Sequence, residues 1–565
     1  MKYQKIHCWQ LNILVLQACL LPNIAAAQIS AGGLGSRVNG SVYGTCTAGS
    51  CAVSGGSRSG SNLLHRFSSF DTREGIVNIK LDTKGLKNVI AGVTNGSGSY
   101  LNKHLLLSAP ANLFLLSPGG IWIGPGAKFS NVHNLLLTTA YGMQLGSKYF
   151  DLLSTKKGDI HLLNQPPYLS LSELNTPDGN PNSLGLRGSG SIVLEGGLIS
   201  VDRNLLLNAT SGNLISVPGS TTQLHAGSSI WLAGHQVDVK DASITAGEPG
   251  NWGLIDVRSS PNQDGTHQGS IHLDRSLLKG QQIWLAGHQV ELKDASITAG
   301  EPGNWGLIDV RSSPNQDGTQ QGSIHLDSSL LKGQPILMAA GVISLNKSRL
   351  EAPKGEIQLE ATNQSGPENS LWIGNSVLDV SAYGFEDLSA QAPRIDSEQT
   401  FFIENKQGRL KLPAIALFSK QDIHISNDSL LNASLNVSAF LGKQSQEKDL
   451  DMHKLADRSG LVFLRADGKI SLTSSTVSTD SSNNLAGKIY FEANGTDHQG
   501  GIFIGSSKLF SRFGAADGEV TLVSKGGIAI KNSTLDVSAN HFPIVNGNTS
   551  VLTADGLKYF AFKGG

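Results

Sequence analysis

Two kinds of ligand-forming side chain recur at one fixed spacing, and any chemistry would have to start there. His235 and His288 lie 53 residues apart, as do Asp264 and Asp317 in two Pro-Asn-Gln-Asp-Gly segments. Imidazole and carboxylate stacked at a constant interval are the ligand types of a metal or carbohydrate site. Asp-Gly is also a turn signal, and a repeated histidine follows from duplication alone, so the turn reading is preferred. Trp231 and Trp284 alternate with apolar neighbours, which directs them outward as stacking platforms for sugars; Trp252 and Trp305, each in Glu-Pro-Gly-Asn-Trp, read better as turn anchors or core. Polysaccharide cleavage would need paired carboxylates, or an acidic cluster beside a base, on one face. The acids here are scattered among turns, without a nucleophile elbow, phosphate loop or zinc signature. No catalytic residue, metal or cofactor is assigned.

The elements that carry these residues are short strands. A glycine followed by alternating apolar residues recurs as Gly158-Asp-Ile160-His-Leu162, Gly190-Ser-Ile192-Val-Leu194 and Gly269-Ser-Ile271-His-Leu273, and continues to Gly526-Gly-Ile528-Ala-Ile530. Alternation over so few residues means strands with one buried face. A second strand type is spelled Ser376-Val-Leu378-Asp-Val380 and again Ser533-Thr-Leu535-Asp-Val537. Residues 230–282 recur as 283–335 with differences only at 238, 239, 267, 275 and 282. Such a unit must hold a whole number of coils, or every downstream side chain would change face; two coils of roughly 26 residues fit. The expected fold is all-β: a right-handed, single-stranded parallel β-helix of roughly twenty coils, about 100 Å long at about 4.8 Å per coil.

Composition agrees. In 565 residues, 66 glycines, 16% charged and 6% aromatic residues suit strands and turns rather than disorder. The 44 basic and 45 acidic residues leave no electrostatic footprint for nucleic acid or anionic lipid. Lys2 and Lys5, the largely apolar stretch Leu11 to Leu21, and Ala25-Ala26-Ala27 form a signal peptide with cleavage between Ala27 and Gln28. Cleavage takes the net charge from −1 to −3 and leaves Cys46 and Cys51 as the cysteines, a local disulfide in an oxidising compartment.

Three stretches between 28 and about 150 resemble the amino-terminal secretion domain of filamentous haemagglutinin-like proteins, the exported partners of two-partner secretion (TPS) systems. The first runs from Gly56 to Phe70 and holds Arg58, Asn62, His65, Phe67 and Phe70. The second is Val89-Ile-Ala-Gly-Val-Thr-Asn-Gly96. The third starts at Asn112 and continues through Ser117-Pro118-Gly119-Gly120-Ile121 to Gly124 and Ala127. The family has Asn-Pro-Asn-Gly-Ile where this chain has Ser117 to Ile121, phenylalanine at Leu64, and arginine at Gly92. The resemblance implies a right-handed β-helix and export through an Omp85-type outer-membrane transporter.

The chain therefore divides into a signal peptide (1–27), a secretion domain (28–150) and a β-helical shaft (151–565). The shaft carries the duplication at 230–335, an irregular segment at 168–188, and excursions near 385–407 and 443–459. The expected protein is an adhesin-like, haemagglutinin-type exoprotein, secreted or at the bacterial surface, whose ligand is a host-cell, bacterial or matrix glycan or protein. Nucleic acid is not an expected partner, and no transmembrane span is expected in the mature chain. The alternatives are a haemolysin or contact-dependent toxin, and a β-helical polysaccharide-degrading enzyme.

Overall fold

Strands with Ile, Leu or Val at alternate positions must each bury one face, and a parallel stack does so while pairing backbone groups with the next rung. The computed structural model of the protein describes residues 28–167, 190–209, 212–261, 268–312, 322–363, 371–383, 414–436, 460–481, 487–495, 501–512, 518–537, 545–546 and 558–563. Ala27 and the rest of the leader lie outside them, as do segments 168–188, 385–407 and 443–459 and both Asp264 and Asp317.

The chain is a parallel β-helix built on three columns of strands. The first column starts with Asn62–Asp71 and Asn88–Val93 and reaches Glu519–Ser524. The second runs from Ser99–Leu101 and Ile121–Ile123 to Gly527–Lys531. The third climbs from Gly197–Val201 to Thr534–Asp536. In the first column one interior ladder passes through Leu63, Val89, Leu113, Leu135, Leu205, Ile230, Ile255, Ile283, Ile308, Ile336, Ile357, Ile415, Val462, Ile489 and Val520, all buried.

Those fifteen rungs correct the expectation of twenty: at about 4.8 Å per rung the described shaft is about 70 Å tall. The shortfall sits in three long coils. Leu135 to Leu205 spans 70 residues, Ile357 to Ile415 spans 58 and Ile415 to Val462 spans 47.

Open strand edges at the ends of a solenoid invite unwanted pairing, and both ends are covered. At the amino end Ile29–Gly33 pairs antiparallel with Asn62–Asp71, Ser36–Val38 with Gly49–Gly55, and the Cys46–Cys51 disulfide ties the turn between two of these strands. At the other end Lys558–Lys563 runs antiparallel to Glu519–Ser524.

The corner between the second and third columns repeats one device. Arg275, Ser328, Lys347, Asn375, Asp428, Ser474, Ser506 and Asn532 have φ between 47° and 59°, and a buried serine follows each. Ser348 Oγ donates to the Asn346 carbonyl at 2.9 Å and accepts from the Ser329 N–H at 3.2 Å. Ser376 and Ser507 repeat the pattern, so each left-handed turn is braced against the neighbouring coil.

Ile230 pairs with Ile255 and Ile255 with Ile283, so the 53-residue unit is two coils of 25 and 28 residues. Because the two coils differ, outward charges alternate up the second column. Asp238, His272, Glu291 and His325 form one row, and Lys240, Asp274, Lys293 and Asp327 the next. Deleting residues 283–335 removes a whole unit and preserves every apolar and charge partner. Deleting residues 255–282 removes one coil and also keeps the ladder in register, but it stacks Asp238 on Glu291 and Lys240 on Lys293. Like charges directly opposite cost roughly 0.2–1 kcal/mol a pair. The one-coil deletion should therefore unfold about 0.4–2 kcal/mol more easily than the whole-unit deletion in urea; equal midpoints would remove any stabilising role from the rows.

Candidate functional site

Polar residues at a rung's corner must find partners across rungs, because the strand's own backbone groups are already paired. Five asparagines do this in the first rungs. Asn88 Nδ2 donates to Asn62 Oδ1 at 2.9 Å, Asn112 to Asn88 at 2.8 Å, Asn134 to Asn112 at 2.7 Å, and Asn204 to Asn134 at 2.8 Å. Asn62, at the foot of the ladder, turns its amide outward and donates to the carbonyls of Leu163 (2.9 Å) and Gln165 (2.6 Å).

Those carbonyls belong to an insert, residues 139–167, lying outside the helix. It consists of a hairpin, Gly142–Leu145 with Lys148–Asp151, and a 3-10 helix, Lys157–Leu162. The hairpin and helix bury Met143, Leu145, Phe150, Ile160 and Leu163 against Leu64, Ile90, Phe114, Leu136, Leu206 and Trp231, the outward side chains of the first column. These rungs are therefore apolar on both sides. Arg66 Nη2 holds the insert by donating to the Thr155 carbonyl at 2.7 Å, and burial keeps its guanidinium below the usual arginine range.

Two sequence readings are corrected here. Gly158-Asp-Ile160-His-Leu162 is not a rung: it is the 3-10 helix, with Ile160 buried and Leu162 exposed, because three alternating residues also fit one tight turn. Trp231 does point away from the helix interior, but the insert covers it to 4% exposure, so it offers no platform. Its counterpart Trp284 is half-buried. Between them Asp256 is buried and bonded to Arg258 Nε at 2.8 Å; burial pushes its carboxyl above the ordinary range against the pull of that arginine.

The motif residues fall into separate places. Phe67 and Phe70 meet edge to face inside the helix with centroids 5.2 Å apart, and Ile121 is interior. Asn62 and Asn112 are ladder members. Arg58 is exposed and donates to the Gly60 carbonyl at 3.4 Å. His65 is fully buried with Nδ1 3.2 Å from Ser36 Oγ, and burial, helped by nearby Lys84, holds its pKa down at about 4.

The turn at Ser117 to Gly120 is braced by serine: Ser117 Oγ donates to the Gly120 carbonyl and lies 2.9 Å from Ser99 Oγ, while the Gly120 N–H donates to the Ser117 carbonyl. Pro118 is buried beside it. Gly120 has φ of +114°, and a Cβ on Gly119 would sit 2.3 Å from the Gly96 carbonyl oxygen, so the family's asparagine has no room there. Gly124 closes against Asn102, whose Oδ1 accepts from the Gly126 N–H at 2.7 Å. At Gly92 a Cβ would lie 2.0 Å from Leu152 Cδ1: the insert's leucine fills the place where the resembled family carries arginine.

The duplicated candidates remain apart from this region. His235 Nδ1 lies 2.9 Å from the Ser260 carbonyl, a turn contact. Trp252 and Trp305 sit in paired hairpins, each under a lysine ammonium (Lys279 at 4.4 Å and Lys332 at 5.1 Å), and the Trp252 indole N–H donates to Glu301 of the second copy. Among the described residues no group of three or more His, Cys, Asp or Glu side chains could hold a metal ion, and no helix is long and apolar enough to cross a membrane.

Asn88, Asn134 and Asn204 and the whole insert escaped the sequence reading. Asn-Leu or Asn-Val at each rung start was the available signal: Asn62-Leu, Asn88-Val, Asn112-Leu, Asn134-Leu and Asn204-Leu.

Residues 35–299 match the TPS secretion domain family. That span includes the asparagine ladder, the insert and the glycine turns, and it runs past residue 150 into the second copy of the duplication. No curated protein matches the chain. Among solved structures, the crystal structure of the HMW1 secretion domain from Haemophilus influenzae aligns with 85% of this chain and 98% of its own, at 13% identity and a TM-score of 0.32. At that score no residue role is carried across.

Proposed function

From a chain that carries a TPS secretion domain over residues 35–299, we infer an adhesin-like exoprotein that presents its β-helical shaft at the bacterial surface. The domain implies export by a two-partner system, with an outer-membrane transporter as partner and the cell exterior or surface as destination. The finer assignments are our own reading: an Omp85-type transporter, a leader cleaved between Ala27 and Gln28, and adherence as the exported activity.

The observation that carries this reading is the family match over the region where the ladder and insert cover the first rungs. Residues Asn62, His65, Phe67, Asn112 and Ser117 to Gly120 would serve export by building that region, since nearly all are buried or half-buried. Arg58 is an exposed, charged member of the motif and the candidate for direct contact with the transporter.

The test is export from a Gram-negative host producing the full chain with and without its transporter. Full-length protein should reach the medium or surface only with the transporter, and removal of residues 28–150 should strand it in the periplasm. Unchanged appearance outside the cell after that removal would overturn the assignment. Adherence is tested by coating beads with exported protein and scoring their attachment to epithelial cells and to other bacteria. Failure to attach to either would leave export standing and remove the adhesin reading.

A further inference from the structure

Single exposed apolar side chains are ordinary on a protein surface, but two aromatic rings aligned on one column, one of them stacked on a histidine, make a more specific arrangement. Trp372 stands on the second column with 44% of its surface exposed, and Phe503 stands three rungs on with 37%. His424 and Ser471 occupy the rungs between them. The Trp372 and His424 rings stack with centroids 4.2 Å apart and planes 19° from parallel, which covers one face of the indole. On the opposite side, among the described residues, the neighbouring rung offers Ser344.

The indole is also clear along its own strand on the Gly374 side. The next outward position on each strand is glycine, in Leu371-Trp-Ile-Gly374 and Gly501-Ile-Phe-Ile-Gly505. A Cβ on Gly374 would find no atom nearer than 3.9 Å, whereas one on Gly505 would lie 2.8 Å from the phenyl ring, so Phe503 lies over its glycine. Polar groups edge the strip: Asp422 Oδ2 is 3.5 Å from His424 Nε2 and 3.7 Å from Lys469 Nζ.

We propose that this strip, from Trp372 to Phe503, binds an uncharged glycan chain. The two rings would stack on the C–H faces of sugar rings, and Asp422, Lys469, Ser344 and Ser471 would take their hydroxyls. The composition selects that occupant. A protein partner needs a contiguous apolar anchor patch, but these rings are separated by a histidine and a serine and bordered by glycine. Nucleic acid needs unpaired basic residues along its path, but Lys469 is matched by Asp422. The rings are three rungs apart, about 14 Å, which is the span of about three sugar units in an extended chain.

The proposal rests on the reading of the protein as an exported surface exoprotein and names its ligand class. It is tested with the purified full mature chain, titrated calorimetrically with cellohexaose, chitohexaose, xylohexaose and mannohexaose. At least one hexasaccharide should bind. Trp372→Ala should weaken that binding at least tenfold and Phe503→Ala at least threefold. Gly374→Thr adds bulk beside the indole where space is open, so it should keep the melting temperature and also weaken binding.

Binding that survives Trp372→Ala and Gly374→Thr would overturn the site. No binding of any hexasaccharide, with cell attachment that is lost in Trp372→Ala, would overturn the glycan and point to a protein partner on the same strip. Hexasaccharide binding with the expected losses, but no attachment to cells, would uphold the site while removing the adhesin reading.

Discussion

Asn112→Leu is expected to lower the unfolding free energy of the amino-terminal rungs by about 2 kcal/mol, read from urea denaturation. Leucine matches asparagine closely in shape, so the loss is one of hydrogen bonding rather than volume. Asn112 both donates to Asn88 and accepts from Asn134. The substitution abandons an acceptor on one side and a donor on the other, at about 1 kcal/mol for each half-buried group left unpaired. Members of such a chain polarise one another, so a break in the middle also weakens the bonds that remain. Asn204→Leu is the control: as the ladder's last donor it strands only Asn134 Oδ1 and should cost about half as much. Equal losses at 112 and 204 would mean that only one of the two Asn112 bonds contributes, whereas a loss at 112 more than twice that at 204 would show that the bonds reinforce one another.

Acid should unfold the same region through His65. Its folded pKa of about 4 lies below the ordinary 6.5 because burial opposes the charged ring. Between those values the unfolded chain binds a proton that the folded chain refuses, so stability rises with pH across the window. The contribution is fully present above 6.5 and is lost as pH falls toward 4. At about 1.4 kcal/mol per pKa unit it amounts to roughly 3 kcal/mol. His65→Gln cannot charge, so its denaturation midpoint should fall much less than that of the parent chain between pH 7 and pH 4. Carboxylates contribute equally to both proteins, and the difference between the two slopes isolates the histidine. Parallel slopes would place the acid sensitivity elsewhere.

The coil pattern was legible because it depends on neighbours in sequence. Gly269-Ser-Ile271-His-Leu273 and Gly322-Ser-Ile324-His-Leu326 are rungs of the second column, as alternation required. The duplication disclosed whole coils because a partial one would turn the chain inside out. What depended on distance in sequence was not legible. Asn134 and Asn204 join across 70 residues, and nothing in either stretch announces the other. The insert was hidden for a related reason: its Ile160 fits the same short alternation as a rung, and the Leu64, Phe114 and Leu206 that the insert covers lie far from it in sequence. Trp231 was misread accordingly, since pointing away from the helix and facing water are different conditions once a second layer exists. Gly92 and Leu152 make the point at one position. The glycine looks like a departure from a family pattern until the leucine 60 residues later is seen to occupy its space.

The duplication also makes the height of the shaft a matter of whole numbers. Each 53-residue unit lifts everything above it by two rungs, about 10 Å, and returns each strand to the same column. The segments encoding the two copies are nearly interchangeable, so unequal crossing-over between them would yield chains with one unit or three. Such chains would share a base and a tip and differ only in reach, with the Trp372 strip carried nearer to the amino-terminal cap or farther from it in fixed steps. The repeat is thus a ruler graduated by recombination: a lineage could tune how far its outermost surface stands from the secretion domain without redesigning either end.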